Sequence, residues 1–116
     1  MFSSEPSNTP DQPLVKALLE PLLDDFQYWF SEANTLLTSP KADCLATEQR
    51  HGLLEKIGVA QQEVATARTL LMATDGQAGV DTAMLRNWHQ LVSICWQTAQ
   101  KVRKHNRSAQ PGEDAQ

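Results

Sequence analysis

Few residues of this 116-residue chain are of types that do chemistry. Cys44, Cys95, His51, His89 and His105 are the groups on which a metal ion or a covalent mechanism would draw. They form no CxxC, no Cys/His ladder and no other ligand spacing, so no metal site and no cofactor are expected. Cys95 falls in the middle of an apolar helical stripe, where a buried, inert thiol is expected rather than a nucleophile. The stretch DGQAGVD at 75–81 is loosely like a calcium loop, but it lacks the acid at the third position and the distal glutamate. Helix capping explains both of its aspartates better. KVRKHNR at 101–107 could touch phosphates, yet a basic last turn complements the helix dipole and aids solubility. The chain has no phosphate-binding glycine loop, no nucleophile elbow and no pair of carboxylates that a helical bundle leaves unexplained. No enzymatic activity is expected.

The elements that would position these residues are helices. From Pro13 to Thr38, the apolar residues Val15, Leu19, Leu22, Phe26, Trp29, Ala33 and Leu36 alternate spacings of four and three. Leu18, Leu23, Phe30 and Leu37 widen this seam into the stripe of a core-facing helix. Pro21 lacks an N–H and clashes with the carbonyl four residues back, so a kink or a helix start is expected there. Ser39 with Pro40 reads as an N-cap followed by proline at the first helical position, and Thr47 is a competing start. The second segment then runs to about Thr74 on Leu53, Ile57, Ala60, Val64, Ala67 and Leu71. Gly76 suits the left-handed position after that helix, Gly79 a second turn, and Asp81 the N-cap of the next helix. The third segment, Thr82 to Asn106, buries Met84, Leu85, Trp88, Leu91, Val92, Cys95, Ala99 and Val102. No strand alternation appears. The fold expected is all-α: an antiparallel three-helix bundle over 13–107, with disordered tails at 1–12 and 108–116.

Composition and charge narrow the class. At 41% hydrophobic and 21% charged residues the chain reads as one ordinary globular domain. No apolar run approaches the roughly 20 residues of a membrane span. MFSSEPSNTPDQP has neither a basic n-region nor an apolar h-region, so no signal peptide is expected. Two distant cysteines suit a reduced cytoplasmic protein. Residues 1–40 carry six acids against Lys16, whereas 82–107 carry Arg86, Lys101, Arg103, Lys104 and Arg107 without an acid. That balance fits neighbouring acidic and basic helices rather than the uniformly basic face of a nucleic-acid binder.

Four of the seven aromatic residues crowd into DDFQYWF at 24–30. On a helical wheel Trp29 and Phe30 fall within about 60° of Phe26 and are expected in the core, whereas Tyr28 falls on the opposite face near Asp24 and Asp25. Those three residues, with Gln77 and His89, are the candidate partner contacts. Trp96 lies with His89 at the rim of the third stripe. Arg68 falls close to the apolar stripe of the second helix, so it either snorkels outward, pairs with an acid of the first helix or faces an interface.

LLEPLLDDFQYWF, AQQEV, ATDGQAGVD and WHQLVSICW resemble the hallmark stretches of a small cyanobacterial family of unknown function, DUF2605, over about Leu14 to Val102. The resemblance implies a cyanobacterial cytosol and brings no activity. The function expected is a non-catalytic interaction module, an adaptor or assembly factor with a protein partner, and a homodimer stays open. The alternative is a small apolar ligand or pigment held between the helices by Phe26, Trp29, Trp88 and Trp96.

Overall fold

A computed structural model of the chain describes residues 12–108. It contains three helices, α1 (Gln12–Leu37), α2 (Thr47–Ala73) and α3 (Thr82–Ser108), with a 3₁₀ turn at Pro40–Cys44 and no strand among the described residues. The expected tails lie outside those residues except for Gln12 and Ser108, which are the terminal residues of α1 and α3.

α1 is continuous through Pro21, so the helix start considered there does not occur. The proline deprives the Ala17 carbonyl of its partner. Ala17 is exposed, where water can take over that bond. Both start signals of the second segment are used, in different elements. Ser39 caps the 3₁₀ turn, accepting from the Lys41 N–H at 3.3 Å with Pro40 just after it, and α2 starts at Thr47. Leu45 and Ala42 of that turn are buried and close one end of the core.

The connection after α2 corrects one expectation. Asp75, not Gly76, takes the first left-handed position, with φ 54°, and Gly76 follows at φ 92°. The Gly76 N–H reaches the Leu71 carbonyl at 2.8 Å and the Asp75 N–H the Met72 carbonyl at 3.2 Å, the bond pair of a Schellman ending. Aspartate tolerates this region better than most residues. Its exposed carboxylate also accepts a 3.0 Å bond from Lys16 of α1. Gly79, at φ 63°, makes the second turn, and Asp81 caps α3 through the Ala83 N–H at 2.9 Å.

Cross-links fix the arrangement. Lys16–Asp75, Asp24–Arg68 and Gln27 to the Gln61 carbonyl run antiparallel between α1 and α2. Phe26–Trp88 and Trp29–Trp96 make α1 and α3 parallel neighbours. α1 packs extensively on both other helices, whereas α2 and α3 meet only lightly. The shared core is Leu23, Phe26, Phe30 and Leu37 with Ile57, Val64 and Leu71, closed by Trp88, Cys95 and Val102. Trp88 is 1% exposed, stands edge-on to Phe26 at 5.5 Å and donates its indole N–H to Glu63 at 2.9 Å. An indole buried this deeply needs that acceptor.

Candidate docking surface

Positions 29 and 96 flank the core stripes of α1 and α3, on the side turned away from α2. Trp29 and Trp96 therefore meet over the seam between the two helices, rings 5.2 Å apart and nearly perpendicular. Tyr28 adds a third ring, edge-on to Trp29 at 5.0 Å. The three form a row that stays in water, with 55% of Tyr28, 38% of Trp29 and 51% of Trp96 exposed. Trp29 was expected in the core, and this is a correction. The wheel places it at the edge of the core stripe, and in the fold that edge faces α3 with no third helix over it among the described residues.

The row stands beside a groove of about 570 Å³ whose walls are Trp29, Ala33 and Leu36 of α1 and Cys95, Trp96 and Ala99 of α3, with Glu32 and Arg103 at its edges. Further up the same seam, Leu22 and Phe26 face Leu85, Arg86 and His89 across a second hollow. Leu14, Leu18 and Leu22 are exposed, so the apolar character continues along α1. The charges divide by helix. Glu32 flanks the seam on α1, with Asp25 seven residues before it on the same side of the helix, and Arg86 and Arg103 flank it on α3. None of these four side chains takes part in a hydrogen bond or an ion pair with another described residue.

The candidate contacts separate in space. His89 and Asp25 belong to this face, and Tyr28 borders it. Asp24 turns the other way and binds Arg68 at 2.9 Å, while Glu20 approaches the same guanidinium at 3.6 Å. Of the roles considered for Arg68, the interhelical pair is the one adopted. Gln77 lies in the α2–α3 connection, with its backbone N–H on the Thr74 carbonyl. Its neighbour Asp75 is held by Lys16, roughly 18 Å along α1 from Tyr28 at 1.5 Å per residue. The four aromatics considered as a ligand lining fall into two groups: Phe26 and Trp88 are buried against each other, and Trp29 and Trp96 are on the surface. Trp29 itself was missed as a surface residue. Its signal was a flank position on α1 answered by Trp96 on a flank of α3.

A second apolar groove, between α2 and α3, exposes Val59 and Ile94 above Ala60 and Leu91. Its rim mixes Glu55, Lys56 and Glu63, and Glu63 already holds Trp88. Burial pushes the Cys95 thiol up to about 11, so it is protonated at neutral pH. Among the described residues no three His, Cys, Asp or Glu side chains converge as metal ligands, and no helix is long and apolar enough to cross a membrane.

The model of one protein family, described as a protein of unknown function (DUF2605), matches residues 9–104. No curated protein and no solved structure matches the chain.

Proposed function

The chain belongs to the DUF2605 family, and from that premise we propose that it is a non-catalytic helical interaction module, an adaptor or assembly factor, whose protein partner docks on the α1–α3 face. The observation that carries this reading is the exposed row Tyr28–Trp29–Trp96. Tryptophan and tyrosine dominate the energetics of protein interfaces because they bury much area and lose few torsions. Three of them side by side at the surface, continued by exposed leucines, form a patch that water disfavours and a partner would cover. Asp25 and His89 would then be rim contacts, while Asp24 serves the fold through Arg68. Cys44 and Cys95 are both free thiols, which suits a reducing cytosol.

The test is a Trp29→Ser/Trp96→Ser double variant in affinity purification from the native host. The protein that co-purifies with the wild type, a second copy of the chain included, should be lost while thermal unfolding barely changes. If everything that binds the wild type also binds the variant, the docking surface lies elsewhere.

The second reading, a small apolar ligand, has one favouring observation: the 570 Å³ groove under Trp29 and Trp96 is of ligand-binding size. Protein purified from its host would then carry an absorbing or extractable small molecule, and a colourless, ligand-free sample would remove the idea.

A further inference from the structure

We propose that the occupant of the α1–α3 face is a second copy of this chain, seated as a two-fold dimer whose axis runs parallel to the helices. This inference rests on reading that face as a docking surface, and it names the partner. The carrying observation is the division of charge across the seam. The α1 edge presents Asp25 and Glu32, the α3 edge presents Arg86 and Arg103, and all four lack a partner among the described residues. An acidic edge beside a basic edge is self-complementary under one symmetry operation only.

α1 and α3 run parallel. A two-fold axis along the helices lays α1 of the second copy over α3 of the first, at the same height. Leu22 and Phe26 share a level with Arg86 and His89, and Trp29 and Leu36 share one with Trp96 and Arg103. Asp25 of each copy then faces Arg86 and His89 of the other, and Glu32 approaches Arg103. The Trp29–Trp96 pairs of both copies meet at the axis. A two-fold axis running across the helices would instead set α1 on α1 and α3 on α3, like charge on like. That arrangement is disfavoured, so the charge pattern selects both the partner and its orientation.

The two-helix part of the face runs from Leu22, level with the first residue of α3, to Leu36, about 21 Å by ~20 Å, and Leu14 and Leu18 extend it along α1 alone, a footprint of roughly 500 Å² per copy. Stable interfaces cover about 600–1,000 Å² on each partner, so this dimer is expected to dissociate on dilution. The α2–α3 groove carries no comparable charge division, since Glu55 and Lys56 stand together on its α2 rim.

The experiment is native mass spectrometry with sedimentation over a concentration series, on the full chain and two charge-swapped variants. The wild type should appear at twice the 12.9 kDa of one chain. Asp25→Arg/Glu32→Arg makes both edges basic, and Arg86→Glu/Arg103→Glu makes both acidic; each alone should be monomeric, with the circular dichroism of the wild type. Mixed in equal amounts, the two variants should regain the dimer as a heterodimer. Should either double swap fail to fold, the single swaps Glu32→Arg and Arg103→Glu replace it in the same design. Trp96→Ser should weaken the wild-type dimer at least tenfold. A wild type that stays monomeric at every concentration overturns the inference, as does a dimer that survives either swap, or a mixture of folded variants that remains monomeric. If the wild type is monomeric but the Trp29→Ser/Trp96→Ser variant still loses a different protein, only the second copy is wrong and the interaction reading stands. If it is monomeric and loses nothing, both fall.

Discussion

Two aromatic pairs bridge α1 and α3, and the molecule treats them oppositely. Phe26–Trp88 lies in the core, its indole N–H bound to Glu63 of α2. Trp29–Trp96 has nearly the same ring separation and the same edge-on geometry, yet both rings stand half in water. Trp96 follows Trp88 by eight residues, a rotation of about 80° around α3. That rotation takes it from the side that α2 covers to a side that no other described residue covers. The contrast separates two meanings of an aromatic contact. With a third helix above it, the pair is part of the core; without one, it stays half exposed, as the platform proposed for a partner.

The most direct attack on this comparison is to remove the buried indole. Trp88→Ala should lower unfolding stability by about 3–5 kcal/mol, by loss of apolar contact and the cavity left behind. Urea denaturation measures it, and a loss below about 1 kcal/mol would mean Trp88 is not the keystone described.

Cys95 sharpens the boundary, because it lies directly beneath the surface pair. Burial holds its folded value at about 11, above the ordinary thiol value of 9.0. The unfolded state therefore loses its proton first, and stability should fall as pH rises from 9 to 11, by about 2–3 kcal/mol. Other groups titrate in that window, so the informative quantity is the difference between the wild type and Cys95→Ala. That difference should shift steadily towards the variant from pH 9 to 11. A constant difference would place Cys95 on the wet side of the boundary.

Glu63→Ala orphans the Trp88 N–H and should cost about 1–2 kcal/mol in the same urea experiment. Trp96→Ser, measured at dilutions where the chain is monomeric, should cost less than about 1 kcal/mol, the worth of an exposed edge-on ring contact. If Trp96→Ser were as damaging as Trp88→Ala, the surface pair would be core after all.

Much of the architecture was legible from residue order. The four-three spacing that begins at Val15 identified α1, and the stripe from Leu53 to Leu71 identified α2, because burial on one side of a helix imposes that period. Asp81 and Gly79 announced the start of α3, since capping and left-handed turns demand particular side chains. The site was less legible. Asp24 and Tyr28 looked like neighbours on one exposed face, but Arg68 of α2 draws Asp24 to the opposite flank. Tyr28, which had no evident intramolecular contact, packs on Trp29. Each difference depends on a residue more than 40 positions away or on a ring's reach, and periodicity encodes neither.

The sequence by itself therefore determined the local quantities: where helices start and stop, which stripe of each is apolar, and that acids gather in the first helix and bases in the third. Those follow from hydrogen bonding, capping and periodicity within a few residues. Tertiary structure alone decided which apolar positions are covered. α2 lies against one side of the α1–α3 pair, and on the other side the seam carrying Trp29 and Trp96 is open among the described residues. Burial is a property of what lies above a side chain, so the same helical period can hide Trp88 and leave Trp29 and Trp96 in water.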